Sequence, residues 1–393
     1  VSGRGGSIFV TGATGYLGGY VVTELLARTD ARLALLVRGR SRDEAIAKLW
    51  RGLQLHLDGR RFWEAVDGRF DLVLGDLTAE RPHLGIEEAT YARLCNEVES
   101  VLHVAASLNR KSEKACLNTN LRGTLAVIEL ARAARDRRGG LRRYSHVSTV
   151  AVCGRRAHEV VDEDHAIDWN RSDYDPYGRT KKFCEHMART LLPDVPLTIF
   201  RPSIVMGDAR RPETTQFDMV RAFCVLADLP VVPIAPSARQ DIVNADWVGR
   251  AIAAMHLRDH TAHDAYHLSA GTASLRADEI ARALAAAEGR RPPRFAGRLE
   301  GPFADLAELM MRAPRSSPVA LVGSLLHVFL PYITFDTVFD NARIVAELGE
   351  APTPFTRYAA PLYRWAKTRR FEYPYLPLPA RPVRAAVAEA PRA

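Results

Sequence analysis

The sequence predicts an α/β fold: a doubly wound parallel sheet with a smaller, mostly helical C-terminal domain. Three observations predict it. Short β-branched or apolar runs alternate with helix-patterned segments over the first two-thirds of the 393 residues. A glycine-rich turn follows the first of these runs, and helical spacing takes over after Ser274.

The candidate strands are Ser7–Thr11, Arg32–Val37, Asp71–Leu74, Ser100–Val104, Tyr144–Ser148, Leu197–Phe200 and Ala265–Leu268. Between the first two, Leu17, Val21, Leu25 and Leu26 recur at helical spacing. Residues 206–240 read as Pro-rich and irregular, and Asp241–Met255 resumes a strand-then-helix pattern that is expected to return to the main sheet. The expected division is therefore a nucleotide-binding domain over 1–205 with 241–270, and a substrate-binding subdomain over 206–240 with 271–375. The tail 376–393 has little to bury and is expected to be disordered.

Composition narrows the function. The net charge is +8, but only six of the 54 basic residues are lysine, so the balance reflects an Arg- and Ala-rich composition more than a binding patch. A phosphate-bearing ligand, such as a dinucleotide or a CoA- or carrier-linked substrate, fits it better than nucleic acid. The densest basic run, Arg132–Arg143, reads as a solvated turn. Five scattered cysteines without a CxxC pair argue for a reducing, cytoplasmic setting and against a metal site. The apolar run Val319–Phe335 is too short for a comfortable membrane span and is broken by Ser324, His327 and Pro331. It reads as a buried or substrate-lining segment, with peripheral membrane contact the lesser alternative. Oligomeric state is not encoded in any pattern of the chain.

The first strand runs into Gly12-Ala-Thr-Gly15-Tyr-Leu-Gly18 and then a helix. A tight turn without Cβ atoms lets backbone N–H groups and a helix N-terminus approach a pyrophosphate. Thr11, Gly12, Thr14, Gly15, Tyr16, Leu17 and Gly18 are the candidate cradle. The second strand ends LLVRGRS, so Arg38, with Arg40 and Ser41 nearby, stands where an NAD enzyme usually offers a carboxylate to the ribose. Guanidinium pairs with a 2′-phosphate and cannot accept from a bare hydroxyl, which favours NADPH. Asp76 and Leu77, after the third strand, are placed to reach the adenine; Ala105 and Ala106, after the fourth, are small residues beside the cofactor.

The fifth strand, HVSTVAVCG, precedes Tyr177-Gly-Arg-Thr-Lys181. Tyr and Lys at i and i+4 share a helix face. The Lys181 ammonium is expected to lower the phenol's pKa so that Tyr177 can give or take a proton. Thr149, in preference to Ser148, would hydrogen-bond the carbonyl oxygen as charge develops. YxxxK occurs again at Tyr363–Lys367, after the sheet has ended and with no Ser/Thr strand before it, so Tyr363 reads as an amphipathic-helix residue.

TGATGYLG, GDL, HVAA, NLRGT (Asn120–Thr124), the Ser/Thr strand, YGRTK and RPSIV (Arg201–Val205) together resemble the extended short-chain dehydrogenase/reductase family over about Ser7 to Leu268. The resemblance implies catalytic roles for Thr149, Tyr177 and Lys181, a supporting role for Asn120, and contact of Pro202, Ser203, Ile204 and Val205 with the nicotinamide. Cys153 before Gly154 departs from the Tyr of many members, at a position that is not catalytic. LLVRGRSRDEAIAKL, the stretch from GDLTAERPHLG to VLHVAAS, VSTVAVCG and, more faintly, FDTVFDNARIVAELG are similar to fatty acyl-CoA and carrier-bound thioester reductases. That branch implies NADPH-dependent reduction of an acyl-CoA or acyl-carrier-protein thioester to aldehyde, sometimes on to alcohol. The alternatives are a ketone or hydroxysteroid-type reductase, a nucleotide-sugar epimerase or dehydratase, and a non-catalytic dinucleotide sensor of the same fold.

Overall fold

Residues 6–314, 317–334 and 336–382 are described in the computed structural model. Seven strands form the main sheet: β1 (Ser7–Thr11), β2 (Arg32–Val37), β3 (Phe70–Leu74), β4 (Val98–His103), β5 (Arg143–Val147), β6 (Leu197–Pro202) and β7 (Ala265–Leu268). Their order is β7-β6-β5-β4-β1-β2-β3, and every pairing is parallel. The direction in which the chain crosses the sheet reverses between β1 and β4, which opens a crevice beyond their carboxyl ends. Parallel strands covered by helices on both faces must be apolar on both faces. Accordingly Phe9, Val10, Leu33, Ala34 and Leu35 are all fully buried.

The longer helices are α1 (Tyr16–Arg28), α2 (Arg42–Leu53), α3 (Gly59–Gly68), α4 (Glu88–Glu97), α5 (Gly123–Arg138), α6 (Pro176–Leu191), α7 (Asp218–Asp228), α8 (Ala245–Leu257), α9 (Ala277–Ala287), α10 (Glu300–Met310), α11 (Pro318–Thr334) and α12 (Ala359–Thr368). The first six and α8 wrap the sheet. α7 and α9 to α12 share a second apolar core, built on Met219, Phe223, Leu284, Leu326, Phe355 and Tyr363.

Four expectations are corrected. Residues 206–240 are not irregular throughout: Asp218–Asp228 is helical, with Met219, Val220, Phe223 and Leu226 buried. The prolines flank that helix, so it forms unhindered. Ile242–Val243 does not rejoin the main sheet but pairs with Ile204–Val205 beside it. Only the following helix, α8, returns, pressing Gly249 against α1, where a Cβ would come within 2.6 Å of Tyr20.

Residues 376–382 of the tail are ordered. Trp50 Nε1 donates to the carbonyls of Leu376 and Pro377, Trp63 Nε1 donates to Pro379, and Arg381 pairs with Asp67. Two indole donors at the α2–α3 surface thus satisfy a proline-rich segment that has no ladder of its own. Residues 383–393 lie outside the described residues. Finally, Arg143 is buried, not solvated: it donates to Thr198 and to the carbonyls of Arg258 and Asp259.

The helix that carries Tyr177 is fixed to the sheet by charge. Glu185 on α6 and Arg201 on β6 form a bidentate pair with contacts of 2.8–3.2 Å, both side chains essentially without solvent. Ser148 also donates to Glu185, and Arg201 reaches the Glu163 carbonyl. Removing one partner of such a pair strands a buried charge. Glu185→Ala is therefore expected to destabilise the fold by about 3–5 kcal/mol, read as a lowered midpoint of urea unfolding followed by circular dichroism.

Candidate active site

A cleft of about 930 Å³ runs along the carboxyl ends of the strands. Of the residues singled out from sequence, Thr11, Gly12, Thr14, Gly15, Tyr16, Leu17, Gly18, Arg38, Asp76, Leu77, Ala105, Ala106, Thr149, Tyr177, Lys181, Pro202, Ser203, Ile204 and Val205 all line it. Arg40, Ser41 and Asn120 do not. Ser41 is occupied as the N-cap of α2, accepting from Glu44 N at 3.2 Å, while the Arg40 backbone donates to the Glu44 carboxylate.

The glycine turn is close-packed. Gly12 has φ +81°, and a Cβ there would lie 2.6 Å from Ala105 N; at Gly18 a Cβ would lie 1.9 Å from Gly12 O. Gly15 caps α1 without using any side chain, so the helix N-terminus faces the cleft. Thr11 Oγ1 ties the turn to the neighbouring strand: it accepts from Ala105 N at 3.2 Å and shares a hydrogen bond with His103 Nδ1 at 2.7 Å. This cradle fits a dinucleotide, because backbone N–H groups and a helix end converge where side chains are excluded. At one end of the cleft Arg38 is 77% exposed and only 4.0 Å from Asp76, while Asp76 Oδ1 orders the following turn through Thr78.

At the other end α6 begins at Asp175, whose Oδ1 accepts from Gly178 N at 2.8 Å. Tyr177, two residues on, is buried, and burial pushes its phenol up to about 12. Thr149, whose Oγ1 accepts from Ala151 N at 3.2 Å, lines the cleft with Tyr177 and works against that rise. Ser148 is instead committed to Glu185, which separates the two hydroxyls by role. Asn120 sits beneath the site in a π-helical turn, Leu117–Arg122. Its amide holds Ser107 from both sides and donates to Thr180 at 3.1 Å, so it braces the loop after β4 against α6.

The expectation that Lys181 supplies the cation beside the phenol is corrected. Its ammonium donates 2.6 Å to Val147 O at the end of β5 and lies 3.5 Å from His146 Nε2. A carbonyl left unpaired where the strand ends is a strong acceptor, and burial lowers the pKa of the amine. The guanidinium facing the Tyr177 ring is that of Arg110, 5.1 Å from its centroid.

Sequence reasoning missed Arg110, Asp241 and Tyr332, all of which line the cleft. Asp241 is buried beside Ser203, accepts from Ala270 N, and is pushed up to about 7 by burial. None of the three belongs to a local motif; the strand-then-helix pattern that opens at Asp241 was the nearest signal. The second YxxxK is structural, with Tyr363 buried in the α12 core and Lys367 paired with Asp228. The apolar run forms α11, whose Ser324 and Tyr332 face the cleft while Leu326, Leu330 and Ile333 are buried. Phe335 lies outside the described residues. Among the described residues no helix is long and apolar enough to cross a membrane, and no cluster of metal-ligating side chains occurs.

A family model for NAD-binding proteins described as male sterility protein matches residues 10–252. The chain belongs to this family. As a member of the male sterility family it is an NAD(P)-dependent oxidoreductase of the extended short-chain dehydrogenase type.

Similar proteins include a linear gramicidin synthase of Brevibacillus parabrevis, 28% identical over 266 residues, with 66% of this chain and 5% of that protein covered. Nonribosomal peptide synthetase asaC of Aspergillus flavus is 30% identical, with 63% and 24% covered. Carboxylic acid reductase of Mycobacterium tuberculosis is 29% identical, with 59% and 20% covered. The chain therefore spans a quarter or less of the length of these relatives. Among solved structures, the terminal R domain from the myxalamid PKS-NRPS biosynthetic pathway superposes with a TM-score of 0.77 at 25% identity, covering 94% of this chain and 92% of that one. The reductase domain of a nonribosomal peptide synthetase from Mycobacterium tuberculosis shares the fold at a TM-score of 0.69 and 20% identity, with 93% and 92% covered.

If the glycine turn holds the dinucleotide, Gly18→Ala must force Gly12 O aside. Nucleotide affinity is expected to fall at least about tenfold, or 1.4 kcal/mol, by fluorescence titration, with the circular dichroism spectrum unchanged.

Proposed function

We propose that this chain reduces an acyl thioester, delivered on CoA or on a carrier protein, to the aldehyde with NADPH. The observation that carries the reading is the pairing of Tyr177 with Thr149 in the cleft, walled on one side by the glycine turn and on the other by the second domain. The named relatives support the thioester: one is a linear gramicidin synthase, one a nonribosomal peptide synthetase and one a carboxylic acid reductase, and the terminal R domain of a PKS-NRPS pathway matches nearly the whole chain.

Gly12, Gly15 and Gly18 would hold the pyrophosphate, Arg38 the 2′-phosphate, Asp76 and Leu77 the adenine end, and Pro202 to Val205 the nicotinamide. When bound, that cofactor supplies hydride. Lys181 would hold the adjoining ribose. Tyr177 gives its hydroxyl proton to the substrate's carbonyl oxygen, and Thr149 donates a hydrogen bond to the same oxygen as charge collects there. The resulting hemithioacetal releases the thiol and leaves the aldehyde. A carbonyl already activated as a thioester needs only this one acid and one donor. Asn120 acts indirectly, by bracing the loop after β4.

Purified enzyme with NADPH should release thiol from acyl-CoA or from a carrier-bound acyl group and form aldehyde, or alcohol if reduction continues, by mass spectrometry. Brisk reduction of a free ketone without thiol release would move the enzyme to the ketone-reductase class. Tyr177→Phe is expected to lower turnover by at least about 100-fold while leaving NADPH binding nearly intact. Arg38→Asp is expected to reverse the preference toward NADH, since it exchanges a phosphate partner for a ribose acceptor; equal binding of the two nucleotides by the unaltered enzyme would refute the role of Arg38.

A further inference from the structure

Arg110 lies in the loop after β4, outside every motif of the chain, yet its guanidinium is fixed on three sides. Its Nε lies 3.4 Å from Asp175 Oδ2 and donates to Tyr332 Oη at 3.3 Å. The Tyr332 hydroxyl in turn donates to Asp175 Oδ2 at 2.7 Å. The guanidinium carbon is 5.1 Å from the ring centroids of both Tyr332 and Tyr177. Tyr332 is itself stacked on Tyr174 at 5.0 Å.

The three groups come from three places. Arg110 belongs to the sheet's loop, Asp175 caps the helix that carries Tyr177, and Tyr332 belongs to α11 of the second domain. The two oxygens of Asp175 divide the work, one capping α6 and the other holding Tyr332 and Arg110. Next to it, Lys111 bonds Ser324 of the same α11. The seat of Arg110 is thus assembled only where the second domain docks on the first.

We propose that Arg110 is a positioning residue for the proton donor: held by Asp175 and Tyr332, its cation sets the electrostatic environment of Tyr177 and couples it to the docking of α11. The proposal rests on Tyr177 being the proton donor. The charged and titratable groups that act on the phenol include Arg110 from the β4 loop, Asp175 from the start of α6 and Cys116 from the turn before Asn120, with the Thr149 hydroxyl from the β5 end. Lys181 is turned onto Val147 O. Asp175 and Cys116 oppose ionisation of the phenol; Arg110 favours it, against the larger effect of burial. A cation at this range lowers the pKa of a neighbouring acid by about one unit or more.

The sign of the effect is fixed by the direction of reaction. Thioester reduction needs the phenol protonated, so activity falls as pH rises through its pKa. The reverse reaction, oxidation of an aldehyde–thiol adduct by NADP+, needs the phenolate, so activity rises with pH. Arg110→Gln removes the cation, and both limbs are expected to move up by about one pH unit. Tyr332→Phe keeps the charge but loses one anchor and should give a smaller shift in the same direction. Arg110→Lys should restore most of the original profile.

NADPH titration and circular dichroism on each variant establish that the fold is kept; if Arg110→Gln does not fold, Tyr332→Phe carries the test. Limbs that superpose on those of the unaltered enzyme, or a turnover lowered equally at every pH, would overturn the proposal. Full turnover in Tyr177→Phe would instead overturn the proton-donor reading beneath it, so the two failures are told apart.

Discussion

The geometry of the cleft depends on one buried ion pair. Glu185 and Arg201 lie on different elements, α6 and β6, and both side chains are buried. A carboxylate and a guanidinium in such surroundings hold each other in one orientation, because any slippage leaves a lone charge in low dielectric. Everything chemical follows from that registration. Two turns up α6 from Glu185 is Tyr177; one residue past Arg201 begins the Pro202–Val205 wall; and Ser148, bonded to the same carboxylate, sits beside Thr149. The pair brings together β5, β6 and α6, the three elements that place Thr149, Pro202 to Val205 and Tyr177 around the cleft.

What could be read from the sequence was what the chain keeps local. The strands of a parallel sheet are continuous apolar runs, and each was placed to within two residues at either end. The glycine turn, Arg38, and Tyr177 with Lys181 could be singled out because each stands at a fixed spacing from a strand end or along one helix face, and all of them line the cleft. The features that escaped are long-range. Arg110, Asp175 and Tyr332 are separated by up to 222 residues and meet only through the docking of α11. Helix α7 escaped because flanking prolines dominate its segment's composition, although its apolar residues have helical spacing. The tail escaped for a different reason: its order comes from indole donors on α2 and α3, which its own composition does not reveal.

Arg143 and Lys181 teach a common lesson about cations. Sequence places a basic residue but not its partner. Arg143 sits in a basic run and yet is spent on the carbonyls of Arg258 and Asp259, just past the end of α8. Lys181 shares a face with Tyr177 but points to the end of β5. The guanidinium nearest the Tyr177 ring is that of Arg110, seated between Asp175 of the α6 cap and Tyr332 of α11.

The central claim is hydride transfer to a thioester carbonyl with release of the thiol. It is tested most directly by incubating the enzyme with an acyl-CoA and NADPH carrying deuterium at the transferred position. The account predicts aldehyde with one deuterium on its carbonyl carbon and one thiol released per NADPH oxidised. Thiol released without NADPH oxidation, as in simple hydrolysis, or aldehyde without deuterium, would contradict it.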